Sequence, residues 1–421
     1  MNPNGQRIAV IGAGVSGLTA AWLLSEKHDV QLFEAGDYAG GHTNTEQVEA
    51  GGRVWPVNTG FIVFNDWTYP NFIKLMDRLD VQSEVSNMSF SVDCHVSGLQ
   101  YNGTSLNTLF AQRRNLLNLN FLKMIREILR FNKETRADLA AGQIPDGETL
   151  GEYLNRNRYS RYFRNNYIVP MGAAIWSAPE IVLEQFPIRF FLQFFNNHGM
   201  LSVDDRPTWR VISGGSATYV DKMMARLGDR THLNSPVTAI ARDEDGVTIV
   251  VNGQQHRFDQ VVLACHSNQA LAMLNDPTDQ ERDILGAIGY QKNDVVLHTD
   301  ASVLPSTRLA WAAWNYMIPE HITQPVSVTY NMNTLQNFDD APETFCVTLN
   351  RSHDIDPAKV IKRFEYDHPV FTLEAVAAQE RYDEIGNRNR THYCGAYWFN
   401  GFHEDGVRSA LRVTQAFGVE L

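Results

Sequence analysis

The chain has 421 residues, enough for two domains with substantial cores. Hydrophobic residues make up 43% and charged residues 20%, the balance of a globular protein. A net charge of −12 argues against nucleic acid as a main partner. Four scattered cysteines (Cys94, Cys265, Cys346 and Cys394) with no C-x-x-C suggest neither a zinc site nor a disulfide framework, so no metal is expected.

The chain opens on its strongest motif. Arg7-Ile8-Ala9-Val10-Ile11 is an apolar run of the kind that sits inside a parallel sheet. Gly12, Gly14 and Gly17 follow as G-x-G-x-x-G, with Val15 and Ser16 opening a helix. Val30 to Phe33 reads as a second strand, and Glu34 closes it 20 residues after Gly14. Strand, glycine turn, helix, strand and acid in this order are a dinucleotide-binding fingerprint. The helix start favours a pyrophosphate, the missing Cβ at Gly14 lets it approach, and Glu34 can accept from a ribose 2′-OH, which disfavours NADP. A strand at residue 7 leaves no room for a signal peptide, and no apolar run approaches the roughly 18 residues of a membrane span. The cytoplasm is the expected location.

Ala35 to Thr43 brings two adjacent glycines, Gly40 and Gly41, before His42. Arg53 to Phe64 reads as extended, interrupted by Asn58-Thr59-Gly60 near a cofactor ring. Asn115 to Lys133 reads as an amphipathic helix with Leu117, Phe121, Ile125 and Ile128 on one face and Lys123, Arg126, Arg130 and Lys133 on another. With Arg113 and Arg114 it makes a basic patch over 113–133, either a solvated face or a membrane-surface contact that collects lipid. Arg161 to Met200 is dense in aromatic residues, including Trp176, and ends in Asn197-His198; it fits an apolar substrate chamber or a helical core equally well. Trp209 to Met224 reads as strand, Gly214-Gly215 turn and helix; His232 to Ile240 as a strand; Asn252-Gly253 as a hairpin turn; Gln260 to Ala264 as a buried strand. Ile288 to about Leu349, including Trp314, reads as a sheet, and Pro357 to Gln379 as partly helical. Tyr393 to Ala410 reads as strand, loop and helix, and contains Gly395, Tyr397, Trp398, His403, Gly406 and Val407.

In this order and spacing the pieces resemble the flavin-containing amine oxidase and phytoene desaturase superfamily, over essentially the whole chain. Within it the chain is most similar to bacterial predicted NAD/FAD-binding, amine-oxidase-like proteins found beside cyclopropane-fatty-acid-synthase-type enzymes. The resemblance implies an α/β fold: a Rossmann-type FAD-binding domain (1–65, 205–280 and 388–421) interleaved with an α+β substrate domain (66–204 and 281–387). It implies non-covalent FAD. Gly12, Gly14, Val15, Ser16, Gly17, Glu34, Ala35 and Val237 would serve the adenosine end, Gly40, Gly41 and His42 the pyrophosphate, and Thr59, Gly60, Gly395, Gly406 and Val407 the ring end.

The chain departs from the family where the chemistry lies. Asp294 stands where many amine oxidases carry a strand lysine, and Lys292 would be displaced by about 6–7 Å along the strand. The arginines of R-x-G-G-R are missing, His42 stands for the second, and Ala396 replaces a common acid. A second nicotinamide-binding glycine motif is not evident, which argues against direct use of NAD(P)H. The expected activity is an FAD-dependent oxidation of a lipid-like substrate, fatty acyl or isoprenoid. His198, His403 and Asp294 are the candidate bases, and Trp176, Asn197, Trp314, Tyr397 and Trp398 the candidate chamber walls. The alternatives are an amine oxidase, a flavin-dependent isomerase or a non-catalytic FAD-binding scaffold of a lipid-modifying complex. Oligomeric state and electron acceptor are left open.

Overall fold

A computed structural model describes residues 5–177, 180–320 and 327–421. At its centre is a five-stranded, all-parallel sheet in the order Thr231–His232, Asp29–Phe33, Arg7–Ile11, Gln260–Leu263, Thr391–Tyr393. The opening strand is buried on both faces, which explains its unbroken apolar run. Ile8 and Val10 pack into one core with Leu18, Ala21 and Val407, while Ala9 and Ile11 pack into another with Ile249, Val261 and Tyr393. Helix Val15–Leu24 covers the first face beside the terminal helix His403–Ala416 and helix Ala217–Leu227. An antiparallel sheet of Val237–Asp243, Gly246–Val251 and Gln254–Phe258 covers the second.

The larger sheet has seven strands, ordered Val360–Val370, Gly289–His298, Cys346–Leu349, Ser327–Asn331, Trp314–Ile318, Phe90–Cys94, Leu99–Asn102. Helices Leu119–Ala140, Leu150–Arg156, Val169–Trp176 and Ile188–Asn197 pack over its Phe90 end through Phe121, Phe131, Phe191 and Phe195. The two bodies are stitched together. The hairpin Thr45–Ala50/Arg53–Asn58 buries Val48, Trp55 and Val57 against Val295, Leu297 and Val347 of the large sheet. A small sheet pairs Trp209–Ile212 with both Val63–Asn65 and Ser83–Val85.

Two local readings of the sequence need correction, and a third gains its boundaries. The helix expected from Asn115 begins at Leu119, because the Asn118 side chain caps it by accepting from the Asn120 and Phe121 N–H groups at 3.1 and 3.2 Å. Leu117 therefore lies outside the helix in the short 3-10 turn Arg113–Leu117 and is 88% exposed, not on a buried face. The stretch read as one strand from His232 splits: Thr231–His232 joins the parallel sheet, Asn234 turns at φ 51°, and Val237–Asp243 joins the antiparallel sheet. The stretch from Pro357 is partly helical as read: Leu373–Glu380 is an α-helix, while Val360–Val370 before it is a strand paired with Gly289–His298 along its length. Phe364, Tyr366 and His368 alternate with polar residues there, a strand period that outweighs the helix formers around them.

A buried ion pair joins the two sheets of the nucleotide-binding body. Arg242 contacts Glu281 through Nη1 and Nη2 at 2.5 and 3.0 Å, and the Tyr393 hydroxyl donates to the same carboxylate at 2.6 Å. Both charged side chains are 3% exposed. Replacing Arg242 leaves Glu281 charged and uncompensated, so Arg242→Met is expected to lose about 3–5 kcal/mol of stability. Urea unfolding at pH 7 measures it; a change below about 1 kcal/mol contradicts this role.

Candidate functional site

The glycine loop and its surroundings form a cradle at the carboxyl end of the parallel sheet. Gly12 (φ +100°) leaves no space for a side chain: a Cβ would lie 2.8 Å from the Ala264 carbonyl oxygen. A Cβ on Gly17 would lie 1.8 Å from the Gly12 carbonyl oxygen. Gly14 differs, because a Cβ there meets nothing within 4 Å. Packing demands the first and third glycines, whereas the second faces open space where a bound group can come close to the backbone. Gly40 donates its N–H to the Ala13 carbonyl at 2.8 Å, which lays Gly40-Gly41 along the same loop. Glu34 accepts from the Ala13 and Gly36 N–H groups at 2.7 and 2.9 Å, fixing its carboxylate beside the cradle with lone pairs left for a ribose. Ala35 is exposed next to it. Ser235 donates to the Glu34 carbonyl at 2.8 Å, bringing Val237 into the neighbourhood two residues later.

The terminal helix closes the cradle. A Cβ on Gly406 would lie 2.6 Å from Val15 Cγ1 and 3.0 Å from Ser16 Oγ, so the start of the first helix and this glycine are in close contact. Val407 is fully buried in the core beneath. Glu404 caps a different element: it accepts from the Asn71 N–H and side-chain amide and from the Phe72 N–H, at the start of helix Pro70–Arg78. Asp405 accepts from the Phe402 N–H at 2.9 Å. Burial pushes the Asp405 carboxyl up to about 7, with the Glu404 charge adding to the rise and the Phe402 N–H opposing it.

Beyond His42 lies a cluster of aromatic and imidazole rings. Gly60 packs against the His42 backbone, where a Cβ would meet its carbonyl oxygen at 2.1 Å. The His42 ring lies 4.7 Å from Tyr366, 5.5 Å from His368 and 6.5 Å from His266, centroid to centroid. Tyr366 shares a hydrogen bond with Thr59 at 3.1 Å. His368 Nδ1 lies 3.3 Å from the Asn293 amide and 3.1 Å from the Ser177 hydroxyl. His266 stacks on Tyr290 at 4.4 Å, and Tyr290 meets Tyr397 edge-on at 6.5 Å. Burial, reinforced by the neighbouring imidazoles, holds His42 well below the usual histidine range. Burial takes His368 down to about 4 and lowers His266, in both cases against the pull of Asp367. His42 Nε2, His266 Nδ1 and the Tyr397 hydroxyl are buried with no partner among the described residues. Such atoms suit a bound polar group. The imidazoles do not form a metal-holding group among the described residues.

The candidate bases are placed differently, with His403 within electrostatic reach of His42 and His198 among other rings. His198 ends helix Ile188–Asn197 with both ring nitrogens engaged, Nδ1 with the Phe194 carbonyl at 2.9 Å and Nε2 with the Thr68 hydroxyl at 3.1 Å. Burial lowers it to about 4. His403 stacks on Phe61 at 3.5 Å, its Nε2 is 2.8 Å from Thr43 Oγ1 and 3.2 Å from the Tyr219 hydroxyl, and burial takes it to about 3. Asp294 lies on the opposite face of its strand from Asn293, which is fully buried and approaches His368. Lys292 is exposed and paired with Glu365 at 2.6 Å.

The chamber candidates divide as well. Trp176 packs among Phe186, Phe190, Phe191 and Phe194, and its Nε1 donates to the Asn400 carbonyl at 3.4 Å. Asn197 is exposed. Trp314 stands edge-on to Tyr330 at 4.8 Å in the large sheet. Tyr397 borders the ring cluster, with Trp398 behind it in contact with Tyr382 at 4.9 Å. Gly395 donates its N–H to Ser409 on the terminal helix. The sequence reading missed His266, His368, Tyr366 and Asn293. His266 comes shortly after the strand that ends beside Gly12, and Tyr366 and His368 share one face of a strand within the stretch read as partly helical. Both were signals the sequence contained.

A family model described as flavin containing amine oxidoreductase matches residues 15–309. Amine oxidase [flavin-containing] A of Canis lupus familiaris is 27% identical over 265 residues, covering 61% of this chain and 49% of the relative. The chain spans about half the length of the curated relatives it matches. Among solved structures, a CLA-producing fatty acid isomerase from P. acnes superposes with a TM-score of 0.71 at 17% identity, covering 98% of this chain and 99% of the other. A putrescine oxidase redesigned in its cofactor binding superposes with a TM-score of 0.70 at 17% identity, covering 98% of each chain. At these identities the likeness is one of fold.

The different surroundings of Gly14 and Gly17 separate binding from folding. Gly14→Ala is expected to keep the thermal midpoint of the apoprotein and to weaken FAD binding at least about tenfold, roughly 1.4 kcal/mol. Gly17→Ala is expected to lose folded protein. Flavin titration with parallel calorimetry checks both, and unchanged FAD affinity in Gly14→Ala contradicts the cradle. A second expectation concerns acid. His198, His298, His368, His392 and His403 have folded pKa values pulled below 6.5 by burial, so each favours unfolding once the unfolded chain takes up its proton. Asp405 and Glu404, with raised values, act in the opposite sense but are fewer. Stability should fall as pH drops from about 6.5 towards 4. A denaturant midpoint that stays flat or rises over that window contradicts it.

Proposed function

The chain belongs to the family of flavin-containing amine oxidoreductases, and from that premise we propose that it is an FAD-dependent oxidoreductase acting on an apolar, lipid-like substrate. FAD, held by Gly12–Gly17, Glu34 and Gly40-Gly41 and flanked by His42 and Thr59-Gly60, supplies a hydride acceptor at its N5. The residues of this chain do the rest. Helix Val169–Trp176 ends over the ring cluster, where Ser177 contacts His368 and accepts from the Gln291 amide, so apolar packing excludes water from that side. His266 and His368 are kept neutral by burial, the form that can take a proton from substrate carbon.

The observation that carries the substrate class is the lack of a cationic side chain among the contacts of the ring cluster. Among the described residues, its hydrogen bonds and ring contacts run to Thr59, Ser177, Asn293, Tyr290 and Tyr366, with no arginine or lysine among them. A carboxylate-bearing amino acid would want a guanidinium there, whereas an acyl chain needs none. The fold shared with a fatty acid isomerase supports the same reading. Amine oxidation is the second reading, favoured by the family match and by Asp367, whose Oδ1 is buried without a partner.

Anaerobic mixing with fatty acids, phospholipids, isoprenoids and amines separates the two. Bleaching by an acyl or isoprenoid substrate supports the lipid reading; bleaching by amines alone overturns it. His368→Asn is expected to slow bleaching by about 10²- to 10⁴-fold with flavin content unchanged. Reduction at the wild-type rate would remove His368 from the chemistry.

A further inference from the structure

Far from the cradle, a cap surface combines bare leucines with unopposed positive charge. Leu106, Leu117 and Leu119 are 76%, 88% and 80% exposed, and Val96 and Leu116 are exposed beside them. They belong to one patch. Arg113 donates to the Asn107 and Phe110 carbonyls at 3.0 and 2.7 Å, while Arg114 and Gln112 both donate to the Gly98 carbonyl, at 2.7 and 2.9 Å. These bonds gather the 96–98 turn, the 106–110 turn and the start of helix Leu119–Ala140. The charge is as uneven as the hydropathy. From Cys94 to Arg126 there is no Asp or Glu, although the chain carries 48 of them, and Arg113, Arg114, Lys123 and Arg126 are all exposed. Beneath the leucines, a cleft of about 270 Å³ is lined by Arg114, Asn115, Asn118 and Tyr162.

We propose that this face docks on an anionic phospholipid bilayer, with the leucine tips in the interface and the cleft receiving a headgroup phosphate. Solvent-exposed leucines on short turns gain by entering an acyl boundary. The basic side chains of this acid-free segment complement a negative bilayer, where the rest of a protein of charge −12 is repelled. The cleft presents the exposed Arg114 guanidinium, a group suited to a phosphate diester. Among the described residues no helix is long and apolar enough to cross a membrane, so the association is peripheral. It stands on these surface observations and not on the substrate reading, so vesicle binding without lipid oxidation supports it.

The experiment is flotation of the full chain with vesicles of phosphatidylcholine alone and with about a third phosphatidylglycerol. Binding is expected only to the anionic vesicles, weakening with salt. The double variant Leu117→Asn, Leu119→Asn should lose about tenfold or more in partitioning, with an unchanged thermal midpoint because both side chains are exposed. Lys123→Gln with Arg126→Gln should reduce binding about fivefold or more. Absence of binding to anionic vesicles overturns the proposal, as does wild-type binding by the leucine variant. A homodimer in light scattering that the leucine variant dissociates would also overturn it, assigning the patch to a second copy.

Discussion

Gly17 lies so close to the Gly12 carbonyl that no side chain fits between them, and the rest of the molecule is arranged around that contact. It lets helix Val15–Leu24 start directly at the end of the central strand. The same small-residue logic brings Gly406 of the terminal helix onto Val15 and Ser16, and Gly40 onto Ala13. Segments far apart in the chain thus meet at one point without side chains intervening. Gly14, alone among these positions in facing open space, is left as the approach for a ligand.

The chemistry follows from what surrounds the far end of that approach. Rings from the His42 segment, from the His266 turn and from the Val360–Val370 strand meet within 4.7–6.5 Å of His42. Burial suppresses the imidazole charge, so the site offers neutral nitrogen bases and hydroxyls beside the Asp367 carboxylate.

The dinucleotide fingerprint was legible because its demands are local: each glycine and the acid answer to neighbours within one βαβ unit. The parallel strands that complete the sheet were legible for the same reason, as short runs of Val, Leu and Ile bounded by turns. The ring cluster was not. His266 and His368 are 102 residues apart and meet only because Val360–Val370 pairs with Gly289–His298, a register that no local pattern specifies. His198 stood out among aromatic neighbours, yet that environment engages both its ring nitrogens in structural bonds. Leu117 continued a helical spacing that the Asn118 cap interrupts, so a residue read as core became part of an exposed face.

The central claim is that the cradle holds a flavin by its adenosine diphosphate end. The most direct measurement is the thermal midpoint of the apoprotein titrated with FAD and, separately, with FMN. FAD should raise the midpoint in a saturable manner, because it binds only the folded state. FMN, which carries the same ring without the adenosine that Glu34 and Gly14 would serve, should leave it nearly unchanged. An equal rise with FMN, or none with FAD, would contradict the account.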